Sequence, residues 1–156
     1  MNNLCIELAR QEDLEEILVL QKLCYRKEAL RYNDFTIPPL TQTADEIRAE
    51  FPGTIFLKAI LNKIIIGSIK AKIEHNTAHI GRLMVHPTYQ HQGIGRFLIQ
   101  TIEKVIKEHA PVQRLELFTG ELSSDNIHLY ESEGYRIYKK EPYDGTKNIV
   151  YMEKYF

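Results

Sequence analysis

Between residues 77 and 108 the hydrophobic pattern changes period once, and that change constrains the fold more than any other stretch of the chain. Residues 77–85 form a strand-like run ending at Val85, and a polar turn containing Pro87 follows. Gln90-x-x-Gly93-x-Gly95 then opens an amphipathic helix running to about Glu108, with Ile94, Phe97, Leu98, Ile102, Val105 and Ile106 on one stripe. A glycine turn feeding a helix start offers free backbone N–H groups and the positive end of the helix dipole, a combination that binds phosphate. Residues 114–119 read as the next strand, so strand, helix and strand predict a right-handed crossover and a parallel pair.

The rest of the chain builds around that unit. Residues 4–9 predict a first strand. Gln11, Glu12 and Asp13 open a helix whose apolar residues Leu14, Ile17, Leu18, Leu20 and Leu23 recur near the helical period. Residues 33–43, with Pro38 and Pro39, predict an irregular loop, and Thr43-Ala-Asp-Glu46 reads as a capping box before a short helix to about Phe51. Residues 55–60, 64–74 and 77–85 predict an antiparallel meander. Residues 125–133 predict a short helix closed by Gly134, and residues 135–140 and 148–154 a last pair of strands around Tyr143-Asp144-Gly145. The expected fold class is α/β (α+β): one domain over residues 1–156, a mixed, mostly antiparallel sheet of about seven strands with helices on both faces.

Composition removes several function classes. A formal charge of −1 argues against nucleic acid as the main partner. No apolar run reaches membrane-spanning length and the N-terminus lacks a signal-peptide core, so no membrane partner is expected. Cys5 and Cys24 sit in apolar patterns and read as reduced core residues of a cytoplasmic protein. No Cys/His spacing suggests a metal site.

Two familiar phosphate loops fail here. A P-loop needs Gly-Lys-Ser/Thr, where this chain has Gly95-Arg96-Phe97, and a dinucleotide fingerprint needs a third glycine, where this chain has Leu98. The surrounding residues point elsewhere. Leu83-x-Val85-x-Pro87, Tyr89, Gln90-His-Gln-Gly-Ile-Gly95 and Phe97-Leu98 resemble motif A of the GNAT superfamily of N-acetyltransferases, and Asn126-x-x-x-Tyr130-x-x-x-Gly134-Tyr135 resembles its motif B. The order of predicted elements matches that family along essentially the whole chain; the N-terminal third is its least specific portion.

The resemblance implies acetyl-CoA as co-substrate. Its pyrophosphate is expected at Gln90 and on the N–H groups of His91, Gln92, Gly93, Ile94, Gly95 and Arg96, with the glycines admitting close approach. Its extended arm would pair with the backbone of Leu83, Met84 and Val85, and Asn126 would be a further contact. The family usually attacks directly, without an acyl-enzyme. The Leu83 N–H would then stabilise the oxyanion and Tyr130 would donate to the leaving sulfur. His79 takes the position at which some members carry a base, and an imidazole changes charge near neutral pH. Strand alternation predicts His79, Gly81 and Leu83 on one face unless a bulge intervenes. Glu28, Asp34 and Glu74 are fallback bases, and Gly81-Arg82 departs from the acid often found there. His86 and His91 read as solvated turn residues, and Arg96 as either a phosphate partner or a solvated helix residue. The implied acceptor is a small-molecule or peptide amine. A homodimer is allowed, with Tyr151, Tyr155 and Phe156 available to support it. Two competing readings are a non-catalytic acyl-CoA-binding module on the same fold and a nucleotide-binding α/β protein.

Overall fold

The computed structural model describes residues 3–145 and 147–156. Its strands are β1 (Cys5–Leu8), β2 (Thr54–Leu61), β3 (Ile64–Glu74), β4 (Thr77–Val85), β5 (Arg114–Gly120), β6 (Arg136–Asp144) and β7 (Lys147–Tyr155). Its helices are α1 (Leu14–Cys24), α2 (Arg26–Tyr32), α3 (Pro38–Thr41), α4 (Ala44–Glu50), α5 (Ile94–His109) and α6 (Ser124–Ser132). The strands form one sheet in the order β1-β2-β3-β4-β5-β7-β6. All neighbours are antiparallel except β4 and β5. The crossover through α5 therefore makes the parallel pair its sequence pattern predicts.

Local chemistry explains the boundaries. Asn62 and Lys63 both take positive φ, which matches a two-residue hairpin turn to the twist of β2 and β3. The Thr43 hydroxyl accepts from the Glu46 N–H (3.1 Å) and the Glu46 carboxylate accepts from the Thr43 N–H (2.9 Å), completing the capping box that starts α4. Residues 38–41 are a helical turn rather than loop: Pro38 stands at the first helical position, where its missing N–H costs nothing. The N-terminal helix is also broken where none was expected, at Tyr25, and α2 ends on Asn33 in the left-handed region.

Two cores flank the sheet. Ile94, Leu98, Ile99, Ile102 and Ile106 of α5 are buried against Leu57, Ile69, Ile80, Leu115 and Met152, each contributing about 1.5–3 kcal/mol of apolar burial. On the other face Leu14, Ile17, Leu18 and Leu20 of α1 pack with Ile47 of α4, Phe56, Ile65 and Met84. Three expected core residues lie outside. Phe97 and Leu23 are exposed, and Cys5 is exposed on the edge strand β1. Gln21 takes the interior place near Leu23, because its amide donates to the Pro39 carbonyl (3.0 Å) and the Gln42 side chain (2.9 Å). Among the described residues no helix is long and apolar enough to cross a membrane.

Candidate active site

The site begins where a ladder stops. β4 and β5 pair only at Thr77–Arg114, Ala78–Leu115 and His79–Glu116, and beyond these residues the two strands diverge. β4 also carries a bulge there. Gly81 is opposite Lys70 but Met84 is opposite Ser68, so one extra residue is inserted, and Arg82 takes φ 51° to absorb it. The bulge reverses the facing of the strand. Ala78 and Ile80 pack on the α5 side before it, and Leu83 and Val85 pack on that side after it. The face shared by His79, Gly81 and Leu83, expected unless a bulge intervened, therefore ends at this bulge: Leu83 has turned to the opposite face.

Backbone direction follows from one bond. The His86 N–H donates to the Ile66 carbonyl (2.7 Å), so residues 84 and 86 turn their backbone groups toward β3. Leu83 and Val85 turn theirs into the gap. The Leu83 carbonyl accepts from the Tyr25 hydroxyl (3.5 Å), and the Val85 carbonyl from Cys24 Sγ (3.4 Å) and Gln90 Nε2 (3.0 Å). The Leu83 and Val85 N–H groups are left on the open edge without a strand partner among the described residues. Met84 differs from both. Its backbone points to β3 and its side chain is buried under α1, which corrects the expectation that all three residues offer backbone to a ligand.

The start of α5 overlooks this edge. His91 (φ 63°) and Gly93 (φ 84°) twist the chain so that Gly93 caps the helix, and the first helical bond is Phe97 N–H to Gly93 C=O (3.0 Å). The N–H groups of Ile94, Gly95 and Arg96 thus lack intrahelical partners. Gly93 is required by its conformation. Gly95 is not required by the protein's own packing: a methyl there would make ordinary contacts of 3.5–3.9 Å with Leu129, Leu83 and Val85, but it would take up space between α6 and β4. The remaining residues of this turn have other roles. Gln90 braces the turn onto β4, His91 and Gln92 are exposed, and His86 caps the turn by accepting from the Thr88 N–H (3.1 Å). The Arg96 side chain pairs with Glu133, the residue that caps the C-terminus of α6, so the turn offers its backbone N–H and not its guanidinium.

Tyr130 of α6 is buried, and its hydroxyl has no hydrogen-bond partner among the described residues. Burial pushes the phenol far above its ordinary range, reinforced by Tyr25, Glu28 and Asp125 nearby. Asn126, one turn earlier, donates to the Thr119 hydroxyl (3.3 Å) and ties α6 to β5. Tyr25 is pushed up to about 12 by burial, with Arg82 opposing. At neutral pH both phenols therefore keep their protons. Glu28 stands between Arg31 (3.0 Å) and the Ser123 hydroxyl (2.6 Å). Arg31 and Lys27 also reach Asp125 (3.3 and 3.4 Å), so α2 is fastened to α6 across the mouth of the gap.

The other candidate bases lie elsewhere. His79 Nδ1 is hydrogen-bonded to Glu116 (2.9 Å), which also holds Arg114 and Tyr138. It lines a 190 Å³ cavity with Glu50, Thr54, Lys70 and Lys72. Along the strand it stands roughly 12 Å from the Leu83 N–H. Asp34 is held down to about 2 by Thr36 and Lys147, and Glu74 pairs with Lys72 at the surface. Sequence reasoning passed over Tyr25, Tyr32 and Ser123. A signal did exist: Tyr25, Glu28 and Tyr32 recur at i, i+3 and i+7, one face of a helix. At the C-terminus Tyr155 and Phe156 are exposed, while Tyr151 packs against Phe118 and Tyr138.

Comparison with known proteins reaches the same family as the motifs. Residues 14–135 match the profile of the acetyltransferase (GNAT) family. The chain is 32% identical over 100 residues to a spermidine N(1)-acetyltransferase of Thermoplasma acidophilum, covering 64% of this chain and 58% of that protein. It is 28% identical over 132 residues to an acetyltransferase of Yersinia pestis, covering 83% and 86% of the two chains. It spans only 58% of the spermidine enzyme and 34% of the Bacillus subtilis protein YqkA, which it also matches. Its fold is similar to that of the PaiA N-acetyltransferase of Thermoplasma acidophilum, solved in complex with coenzyme A, with a TM-score of 0.81 at 23% identity over 99% of both chains. The ribosomal-protein-S18-alanine N-acetyltransferase of Escherichia coli superposes with a TM-score of 0.79 at 17% identity over 96% and 92% of the chains.

Proposed function

The chain belongs to the acetyltransferase (GNAT) family, and from that footing we propose that it transfers an acetyl group from acetyl-CoA directly to a primary amine. One observation carries this reading: the unshared Tyr130 hydroxyl and Glu28 share the gap into which β4 turns the free Leu83 N–H. The open N–H groups of α5 suit a pyrophosphate, and the open edge of β4 suits the amides of an extended arm. Leu83 and Val85 would pair with that arm, and Gly95 leaves the passage for it.

The chemistry follows from these positions. An alkyl amine arrives as ammonium, and Glu28, held by Arg31, takes its proton. The neutral amine adds to the thioester carbonyl carbon, and the oxyanion forms against the Leu83 N–H, a donor of a type worth about 3 kcal/mol. Collapse breaks the carbon–sulfur bond and releases the thiolate of coenzyme A, and the acylated nitrogen, now strongly acidic, passes its surplus proton to solvent or to that thiolate, leaving the neutral amide. The raised Tyr130 phenol is a weak acid, so its contribution is a strong hydrogen bond to that sulfur rather than a completed transfer. Neither cysteine serves as nucleophile: burial pushes the Cys24 thiol up to about 12, and Cys5 is on the edge strand far from the gap in sheet order. Two unpaired thiols also suit a reducing compartment such as the cytoplasm.

Polyamines are the first acceptors to try, since a similar protein is named for spermidine, followed by peptides with free N-terminal amines. The test incubates the chain with acetyl-CoA and this panel, following thiol release and the mass of the acceptor. Thiol release matched one-to-one by acetylated amine is the expected result. Tight acetyl-CoA binding with no release for any amine would instead establish a binding module.

A further inference from the structure

We infer that Tyr32 and Ser123 are positioning residues that aim the Glu28 carboxylate at the incoming amine, an inference resting on the proposed role of Glu28. Ser123 is fully buried, and its hydroxyl donates to Glu28 Oε2 at 2.6 Å. A serine hydroxyl has one proton, so the 2.9 Å bond between Tyr32 Oη and Ser123 Oγ must be donated by the tyrosine. The Tyr32 oxygen in turn accepts from the Leu122 backbone N–H at 2.9 Å. The three bonds therefore run in one direction, from a backbone amide that cannot turn round to one oxygen of the carboxylate. Arg31 takes the other oxygen at 3.0 Å. Each carboxylate oxygen keeps one further acceptor direction, which is what an ammonium group needs.

The chain of bonds also joins the two walls of the gap. Glu28 and Tyr32 are one turn apart on α2, while Leu122 and Ser123 lead directly into α6, which carries Tyr130. The distance between the base and the sulfur-side donor is thus set by this link and not by α2 alone. Gly120 makes the link sterically possible. It has no positive φ, but a methyl group there would overlap the hydroxyl end of the Tyr32 ring.

A residue acting through Glu28 has nothing left to act on once Glu28 is disabled. The test is a double-mutant cycle with Tyr32→Phe, Glu28→Gln and the pair, measured with acetyl-CoA and the best amine of the panel. Tyr32→Phe is expected to lower kcat about tenfold and leave KM for acetyl-CoA unchanged. In the Glu28→Gln background it is expected to cost less than about twofold more. Ser123→Ala repeats the cycle should Tyr32→Phe fail to fold, and Gly120→Ala should reproduce the loss in kcat by displacing the phenol. Equal losses in both backgrounds, or no loss in the wild-type background, would overturn the inference while leaving the activity standing. A wild-type chain that acetylates no amine would refute the functional reading, and the inference with it.

Discussion

Thr77 to His79, at the start of β4, pair on both sides, with β3 and with β5, whereas beyond the bulge Met84 and Val85 are in register with β3 alone and Leu83 with neither neighbour. The same strand is thus a closed structural element at one end and an open edge at the other. At the closed end His79 is spent on Glu116, within a network that includes Arg114 and Tyr138. At the open end the Leu83 and Val85 N–H groups have no strand partner among the described residues, and two tyrosines with perturbed phenols and a braced carboxylate gather around them. An unpaired backbone donor normally destabilises a fold, so a chain keeps one only where something else completes it. Chemistry is placed by where hydrogen bonding stops, and not by which strand residue has the more reactive side chain.

That contrast can be broken from either end. The largest effect is expected at the open end: Tyr130→Phe should lower kcat by about 100-fold with KM for acetyl-CoA nearly unchanged. Because burial raises the Tyr130 phenol, its neutral form persists as pH rises. The wild-type pH–rate profile should then show no alkaline loss from this group up to about pH 10. A profile falling near the ordinary phenol range would sink the assignment.

The two glycines of the α5 turn separate conformation from passage. Gly93→Ala should cost about 1–2 kcal/mol of stability, because φ 84° is hostile to a side chain. Gly95→Ala should leave stability intact or slightly raised yet weaken acetyl-CoA about tenfold, by narrowing the passage beside Leu129. Thermal melts and calorimetric titration of both variants decide this, and equal behaviour of the two would contradict it.

At the closed end, His79→Ala should change kcat by less than about threefold, since the ring is engaged with Glu116 and stands away from the gap. A loss as large as that of Tyr130→Phe would return the base to His79.

The smallest effect concerns the tie from the loop after α2 to β7. Asp34 titrates at about 2 when folded, below its ordinary value, so its contribution is fully present above the ordinary carboxylate range. It is lost as pH falls toward about 2. Asp34→Asn should therefore lower Tm at pH 5, and the gap to wild type should close by about pH 2. A gap unchanged across that range would show that the Lys147 and Thr36 contacts do not act through charge.

Much of this could be read from the residues alone. Strand alternation, the capping box at Thr43, the turn at Asn62 and Lys63, and the glycine-opened α5 are local patterns, and the chain realises each of them. Gln90-to-Arg96 and Asn126/Tyr130 also pointed to the family that residues 14–135 match, because each motif is made of residues close together in sequence. What local pattern left open shares a cause. The face of Leu83 depended on a one-residue bulge at Arg82 that β3 imposes through register, and no residue in β4 announces it. For the base, the sequence offers His79 first and Glu28 as a fallback, and nothing in the local pattern ranks them by what they face. Glu28, Tyr32 and Ser123 meet only because α2 is folded back against the start of α6, across about 95 residues of chain. The elements, their order and the glycine turn proposed as a cradle for a phosphorylated co-substrate follow from the amino acids in sequence, since they rest on short-range periodicity and turn chemistry. Which backbone groups stay open, and which carboxylate faces them, emerges only on folding, since both depend on where one ladder ends and what packs across the gap.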